Sequence, residues 1–499
     1  MNTAYKRIVV VGGGSAGWMA AIALATALPA SSVELVESEE IGIVGVGEAT
    51  FPSIRTFHKL LGIDEAQFLR ATNGTYKLGI EFRDWRMVGE NYFHTFGDIG
   101  GLSGPRSLWG QYRRVGDAGL GVLGEQCLPS VMAREGRFQL AASEAQQQFS
   151  YAYHFDAMLY ATFLRELALK RGVRRTEGRI VHVARAADGS IAQLKLEDGR
   201  VVEGDLFVDC SGFASLLLGR TLEERFVDFG RWLPVDRAWA CPSERSGPEL
   251  APYTRATALE AGWAWRIPLR SRTGHGHVFS SRYIDEERAR EQLMQRLDGA
   301  PVAEPRLLRF ATGHRQRFWV HNVVALGLSS GFLEPLESTS IFLVQSGLGR
   351  LIEMLLPGAR PAPVEIAAYN TGMLRQFERV RDFIILHYCL TARRDSQLWR
   401  DMASMDLPET LAFKIHAWRQ SGTLHQYDEE GFDATSWLAI HAGMGHWPER
   451  ADPSLRDISQ EDALRALRFR RDSIAATVAG MPTHQDYLQS VLARRRQEV

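Results

Sequence analysis

A glycine-rich segment near the start of the chain most constrains the fold. Residues 7–12 (RIVVVG) are apolar and β-branched, which is typical of a buried strand, and residues 14–28 have the alanine and leucine content of a helix. Between them, Gly12-Gly13-Gly14-Ser15-Ala16-Gly17 has the spacing G-x-G-x-x-G. Gly12 permits a tight turn, Gly14 lets a pyrophosphate approach the backbone, and Gly17 allows the helix to pack closely on the strand. We therefore expect a dinucleotide-binding fold rather than a plain tight turn.

The next segments indicate which dinucleotide binds. The N–H groups of Ser15 and Ala16 at the helix start are placed to meet the phosphates, and Glu37, at the end of a second strand (33–37), is placed to bind a ribose hydroxyl. NAD enzymes usually continue as alternating strands and helices. Here a glycine-rich loop (40–54), long insertions and a β-meander (175–209) intervene, and the layout favours FAD.

Composition excludes several classes of protein. With 499 residues, 45% of them hydrophobic, and a net charge of -1, the chain is not disordered and has no basic excess for nucleic acid. The four cysteines have neither a CxxC pair nor a zinc-like spacing, so we expect no disulfide scaffold and no metal site. The apolar stretches are too short for a membrane span or a secretion signal, which indicates a cytoplasmic protein. Whether it is a monomer or a homodimer stays open.

The pattern along the chain predicts an α/β fold: an FAD-binding, Rossmann-like domain interleaved with a largely helical substrate region. We expect the FAD-binding domain over 1–360, with insertions at about 97–150 and 215–260, and the helical region over 361–499. Periodicity predicts helices over 55–78, 156–172 and 339–356, and strands over 205–209, 263–268, 275–282 and 322–327. Residues 97–122 have an irregular pattern, and the arginines at 494–496 are typical of a solvated helix end.

Trp263-Ala264-Trp265-Arg266-Ile267-Pro268 is the second informative segment. On their own, two tryptophans two residues apart lie on one face of a strand and are more often a core pair. Together with the glycine motif, W-x-W-x-I-P resembles the signature of flavin-dependent halogenases of the tryptophan-halogenase type. The segments 45–50 (GVGEAT), 209–213 (DCSGF) and 331–340 (GFLEPLESTS) match in family order.

The resemblance implies a fold of the glutathione-reductase or monooxygenase type, FAD supplied as FADH2 by a separate flavin reductase, a halide ion as co-substrate, and a small aromatic substrate. It also implies roles for individual residues. Lys77 would present hypohalous acid to the substrate, and Glu337 would stabilise and deprotonate the arenium intermediate. The implied contacts are Ala49, Thr50, Leu328 and Ile341 for the flavin, Thr339 and Ser340 for the halide, and His94, Phe96 and Ser338 for the substrate.

One segment departs from the family. Members that act on free tryptophan hold its amino-acid part with a tyrosine pair, a glutamate and a Phe-Trp pair near the C-terminus, and residues 424–433 (LHQYDEEGFD) lack both pairs. A zwitterion left without partners binds poorly. We therefore expect halogenation of indole or an indole derivative by bromide or chloride, rather than of free tryptophan. An FAD-dependent aromatic hydroxylase and a catalytically silent flavoprotein remain the alternatives.

Overall fold

The chain divides into two units, each assembled from three separate segments. One unit contains residues 1–74, 155–236 and 309–378, and the other contains 75–154, 237–308 and 379–499. The computed structural model describes residues 4–40, 47–97, 99–102, 107–116, 119–450 and 452–493. The loop glycines Gly42 and Gly45 and the arginine run at 494–496 lie outside the described residues.

The strands, in chain order, are β1 (Arg7–Val11), β2 (Ser32–Glu37), β3 (Gly47–Ala49), β4 (Thr75–Lys77), β5 (Gly79–Arg83), β6 (Asn91–Thr95), β7 (Ala152–Asp156), β8 (Arg174–Glu177), β9 (Ile180–Arg185), β10 (Ile191–Leu196), β11 (Val201–Glu203), β12 (Leu206–Asp209), β13 (Phe226–Asp228), β14 (Arg237–Ser243), β15 (Thr254–Ala258), β16 (Gly262–Pro268), β17 (Thr273–Phe279), β18 (Arg306–Arg309), β19 (Gly313–Arg315), β20 (Trp319–Val320), β21 (Val323–Ala325) and β22 (Gly331–Phe332).

The helices are α1 (Ser15–Ala27), α2 (Ser53–Leu60), α3 (Glu65–Ala71), α4 (Leu108–Val115), α5 (Leu128–Arg134), α6 (Ala157–Lys170), α7 (Glu286–Met294), α8 (Ser340–Leu355), α9 (Pro363–Cys389), α10 (Gln397–Ala403), α11 (Glu409–Ser421), α12 (Ala434–Gly443), α13 (Gln460–Ala479) and α14 (His484–Ala493). Among the described residues, no helix is long and apolar enough to span a bilayer.

A mainly parallel sheet forms the centre of the first unit. Its strand order is β20-β21-β12-β1-β2-β8; β1 pairs in parallel with β2 and β12, and only the edge strand β20 is antiparallel. Helix α1 packs against α6 and α8, and its residues from Gly17 to Leu24 are all buried, which explains its continuous alanine and leucine content. The predicted Rossmann-like α/β fold is confirmed, and so is the helix over 156–172, whose first turn is capped by Asp156.

A second, mixed sheet forms much of the other unit, in the order β18-β14-β17-β16-β15-β5-β6. Every residue of β17 is buried, so this strand lies inside the unit rather than at its surface. Helices α10 to α14 follow β18 in the chain, which confirms the predicted helical content after residue 361. The predicted strands over 263–268 and 275–282 are observed as β16 and β17.

Two predictions from the sequence pattern are wrong, and a third is wrong in part. Residues 55–78 are not one helix, because the chain turns at Gly62 and Asn73, both of which have a positive φ, and Lys77 lies on strand β4. Residues 97–122 are not irregular throughout, because Ser107 caps helix α4 by accepting a hydrogen bond from the Gly110 N–H. The expected loop over 40–54 also contains the short strand β3.

The compact units do not follow the predicted boundary at residue 360. Helix α9 (Pro363–Cys389) crosses from the first unit to the second after residue 378, and the segments 75–154 and 237–308 fold with the C-terminal helices. As a division of function, the boundaries 1–360 and 361–499 stay a prediction.

Candidate active site

The glycine loop has the geometry that a dinucleotide requires. Gly12 has φ +109°, and an added Cβ there would lie 2.3 Å from the carbonyl oxygen of Cys210. An added Cβ at Gly17 would lie 1.8 Å from the carbonyl oxygen of Gly12, whereas one at Gly14 would meet no atom within 4 Å. Gly12 and Gly17 are therefore required by packing, and Gly14 leaves open space above the start of α1, which no side chain caps. The loop fits a pyrophosphate.

Glu37 lies beside this loop. An added Cβ at Gly13 would lie 1.4 Å from the Glu37 carboxylate, so the carboxylate lies directly over the loop backbone. Arg175 fixes its position by donating a hydrogen bond of 2.5 Å from Nε to Oε1, and this bond is the largest cause of the raised pKa of Arg175. The second carboxylate oxygen of Glu37, Oε2, is the atom that lies over Gly13.

Other segments of the first unit converge on the same region. An added Cβ at Gly327 would lie 3.0 Å from the Cβ of Ala16, which places the turn that carries Leu328 against α1. The ring of Phe51, directly after Thr50, lies 5.2 Å from the ring of Phe342, which directly follows Ile341 on α8. The structure thus places Leu328 beside the helix that follows the glycine loop, and the segment of Ala49 and Thr50 beside the start of α8, which carries Ile341.

The segment before α8 carries the expected base and halide site. Glu337 ends a short 3-10 turn and is only 2% exposed, and Ser338 adopts the left-handed conformation with φ +59°. Such a conformation costs energy in a residue other than glycine and is often found at functional sites. Thr339 precedes the helix without capping it, and its buried Oγ1 has no hydrogen-bond partner among the described residues. Because a hydroxyl and the free N–H groups of a helix start suit a small anion, this segment fits a halide ion.

The other unit carries Lys77. This residue ends strand β4, is fully buried, and holds its Nζ 5.3 Å from the centroid of the Phe96 ring. Phe96 is tied to the same strand region because its N–H donates to the carbonyl of Leu78. A buried ammonium beside an aromatic face is not the exposed helical lysine that an isolated Lys would usually be.

Three further rings lie close to Phe96 or to one another in the same unit. The ring of His94 lies 6.4 Å from that of Phe96, 5.6 Å from that of Phe383 and 6.1 Å from that of Phe432, and Phe383 stacks on Phe432 at 3.8 Å. We call His94, Phe96, Phe383 and Phe432 the aromatic wall. All four rings are buried, and their planar apolar faces are of the kind against which an aromatic molecule packs.

Trp263 and Trp265 are buried on β16, with ring centroids 6.3 Å apart. An added Cβ at Gly276 would lie 2.0 Å from the Trp265 ring, so this glycine of β17 leaves the space that the Trp265 side chain occupies. The indole N–H groups of both tryptophans have no hydrogen-bond partner among the described residues.

A comparison with known proteins identifies the chain. The sequence model of the family described as tryptophan halogenase matches residues 7–460. The chain belongs to the tryptophan halogenase family. It is a flavin-dependent halogenase, an oxidoreductase that uses FADH2 and a halide ion, and the family depends on a separate flavin reductase. Family membership decides against the aromatic hydroxylase and the silent flavoprotein.

Solved structures agree with this assignment. A flavin-dependent halogenase from Xanthomonas campestris shares 44% sequence identity with this halogenase at a TM-score of 0.94, covering 98% of each chain. A flavin-dependent halogenase from Brevundimonas sp. BAL3 shares 42% identity at a TM-score of 0.92 and covers 98% of this chain and 99% of its own. A tryptophan 6-halogenase from Streptomyces toxytricini is 35% identical over 522 residues, which cover 98% of this chain and 99% of that protein.

The site residues of the halogenase fall into two groups. The first unit brings together the glycine loop, Glu37, the expected flavin contacts, and the segment from Glu337 to Ile341. The second unit holds Lys77 with His94 and Phe96. Within the described residues, no cluster of His, Cys, Asp and Glu could hold a metal ion.

Sequence reasoning missed several buried polar residues of the second unit. His154 and His484 bond to the strand that carries Lys77, and Lys414 forms an ion pair with Glu430 next to the aromatic wall. In the sequence, His154 and Lys414 lie between apolar residues, and His484 and Glu430 lie in polar segments. Nothing in the local pattern distinguishes such residues from exposed ones, because their partners are distant in the chain.

Proposed function

We propose that this halogenase acts on an electron-rich aromatic ring, an indole or an indole derivative, in preference to free tryptophan. The Lys414–Glu430 ion pair carries this proposal. Residues 424–433 are where a member that uses free tryptophan would need groups for the ammonium and carboxylate of its substrate. In this chain the carboxylate of Glu430 is already bonded to Lys414, and both side chains are at most 7% exposed.

The surroundings of the pair strengthen the argument. Lys414 Nζ lies 3.7 Å from the centroid of the Trp437 ring, and Phe432 of the aromatic wall follows Glu430 by two residues. Because the single charge of Glu430 is already balanced by Lys414, a substrate ammonium at this carboxylate would add a second buried cation without a counter-charge of its own, which costs several kcal/mol, on the order of 3–5. An uncharged indole has no such cost and gains the contacts of the aromatic wall.

The proposed chemistry assigns one task to each charged residue. When bound, FADH2 supplies the reducing equivalents with which dioxygen and halide become hypohalous acid. The Lys77 ammonium donates a hydrogen bond to the oxygen of that acid and polarises its O–X bond. The ring attacks the halogen, the O–X bond breaks, and the oxygen takes up a proton and leaves as water. Glu337 stabilises the cationic ring and then accepts the proton of the substituted carbon, which restores aromaticity.

Bound groups would be held by the residues already described. Gly12, Gly14 and Gly17 would hold the pyrophosphate, and Glu37 would bind the ribose. Thr339, with the N–H of Ser340, would hold the halide ion. Ser338 joins these residues to Glu337 and would lie beside the substrate.

The test is a competition in a single reaction. The halogenase, a flavin reductase, FAD, NADH and bromide are incubated with equal concentrations of indole and tryptophan, and the brominated products are quantified by mass spectrometry. We expect bromoindole to dominate. Predominant bromotryptophan would overturn the substrate proposal, and the test is informative because the Streptomyces toxytricini relative is named a tryptophan 6-halogenase.

Two variants test the residue roles. Lys77→Met and Glu337→Gln should each lower halogenation of indole by about 10²-fold or more while FAD binding is unchanged. Lys170→Met, at the exposed end of α6, is the matched control and should retain full activity. Unchanged activity of Lys77→Met would refute the proposed mechanism.

A further inference from the structure

The strand that carries Lys77 is held by a buried polar network. Strand β4 pairs antiparallel with β7, so that Thr75 lies opposite His154 and Lys77 lies opposite Ala152. Residues two apart on a strand share a face, and cross-strand partners lie on the same side. Lys77 and His154 are therefore diagonal neighbours on one face, and both side chains are fully buried.

The hydrogen bonds of this network allow one consistent arrangement of protons for a neutral imidazole. Thr75 Oγ1 donates to the carbonyl oxygen of Pro268 at 2.9 Å, which uses its only proton. Its contact of 3.1 Å with His154 Nδ1 therefore requires that Nδ1 carries the proton and donates. Nε2 of the neutral ring then accepts from Thr254 Oγ1 at 2.9 Å.

The charges around His154 favour the neutral form. Burial is the largest cause of its pKa lying well below 6.5, and the positive charges of Lys77 and Arg266 lower the pKa further, as does a protonated His484. Arg266 is itself neutralised by Asp298, with N–O distances of 2.8 and 2.9 Å. A second proton on His154 would place another cation next to Lys77 in a dry environment.

A second histidine holds the same strand. His484 Nε2 accepts a hydrogen bond of 3.2 Å from the N–H of Tyr76, and its Nδ1 donates to the carbonyl of Leu250 at 2.8 Å. The N–H of Leu78, directly after Lys77, donates to the carbonyl of Pro252 at 2.7 Å. The backbone on both sides of Lys77 is thus fixed, and the network through His154 lies on the face of the Lys77 side chain.

We propose that His154 is a positioning residue for Lys77: as an uncharged imidazole with its proton on Nδ1, it fixes Thr75 and hence the direction in which the ammonium points. Through Thr75 it also joins strand β4 to Pro268, the last residue of the W-x-W-x-I-P strand. This inference rests on the proposed role of Lys77. A displaced ammonium would still be positively charged, but a smaller fraction of the hypohalous acid would transfer its halogen to the substrate.

The test measures how the halogen is divided between the substrate and a trap for free hypobromous acid. Enzyme, flavin reductase, FAD, NADH and bromide are incubated with indole and with a soluble trap for free hypobromous acid. The ratio of brominated trap to bromoindole is compared for wild type, His154→Leu and His154→Asn. The asparagine amide can donate at the place of Nδ1, whereas leucine cannot. Unfolding would lower both products together and leave their ratio unchanged.

We expect the ratio to rise by about tenfold or more in His154→Leu, because a misplacement of about 1 Å is costly, and to return toward the wild-type value in His154→Asn. An unchanged ratio in His154→Leu that still binds FAD and forms bromoindole would overturn the inference. Lys77→Met separates the two proposals: a normal ratio in that variant refutes the role of Lys77 itself, whereas a raised ratio there with a normal ratio in His154→Leu refutes only the role of His154.

A spectroscopic measurement on the wild type is independent of folding changes. In enzyme with 15N-labelled histidine, the His154 signals, assigned by their loss in His154→Asn, should show protonated Nδ1 and unprotonated Nε2. They should stay constant between about pH 5.5 and 8, across the range where an ordinary histidine titrates. Titration in that range, or a proton on Nε2, would overturn the inference.

Discussion

Gly14→Ala should separate cofactor binding from folding. The backbone at Gly14 has φ -74° and ψ -178°, which any residue adopts, and an added Cβ would meet no atom within 4 Å. Replacing glycine by alanine at a compatible position gains about 0.4–1 kcal/mol through the unfolded state. Alanine before a helix loses a similar amount, about 0.5–1 kcal/mol, relative to glycine. The free energy of unfolding should therefore change by less than about 1 kcal/mol.

The effect on the cofactor should be much larger. The new methyl group would occupy the space in which we place the pyrophosphate. Loss of even one hydrogen bond to a charged group costs about 1.5–3 kcal/mol, which corresponds to roughly 10- to 150-fold weaker binding. Gly17→Ala is the matched contrast: its added Cβ would lie 1.8 Å from the Gly12 carbonyl oxygen, so it should destabilise the fold itself.

The assay pairs a flavin-fluorescence titration with FAD and urea unfolding in the absence of FAD. Gly14→Ala should unfold like the wild type and bind FAD at least tenfold more weakly, whereas Gly17→Ala should unfold at lower urea. Wild-type FAD affinity in a folded Gly14→Ala variant would refute the placement of the pyrophosphate.

Three further predictions concern other sites. Thr339→Val should leave stability within about 0.5 kcal/mol, because the hydroxyl has no described partner, yet raise the KM for bromide; an unchanged KM would rule out a halide contact. Lys414→Met should lower the free energy of unfolding by about 3–5 kcal/mol, because it leaves the Glu430 carboxylate unpaired. The double variant with Glu430→Gln should recover most of this lost stability, and urea titration measures both changes. Burial lowers the pKa of His58 to about 3. Because the unfolded chain therefore binds this proton more tightly than the folded protein, the free energy of unfolding should decrease as the pH is lowered below 6.5, by about 3 kcal/mol at pH 4.5. His58→Gln should show a correspondingly smaller loss between pH 7 and 4.5, and an equal loss would contradict the assignment.

The sequence was most informative where structure depends on neighbouring residues. The order of β1, glycine loop, α1 and β2 follows from local periodicity, because the strands are continuously apolar and the glycines meet steric needs set within a few residues. Glu37 could be placed from its distance to Gly17, and the Asp156 cap from the helix that follows it. These predictions need no knowledge of the rest of the fold.

Lys77 shows the opposite case. Its catalytic role could be proposed by resemblance, but the sequence pattern predicted that it lies on a helix. Strand β4 is only three residues long and exists through pairing with β7 near residue 154. Such pairing has no local signal. For the same reason, the buried contacts of His154 and the Lys414–Glu430 ion pair could not be predicted from the sequence, because their partners are distant in the chain.

The interleaved course of the chain affects how such an enzyme can be altered. The chain passes from one unit to the other after residues 74, 154, 236, 308 and 378, and the last passage lies within helix α9. Neither unit can be produced as one contiguous piece, and a chimera that took the whole second unit from a relative would need three exchanged segments, with one junction inside a helix. A new substrate preference is therefore more accessible through point substitutions in the aromatic wall, for example at Phe432, than through exchange of whole units.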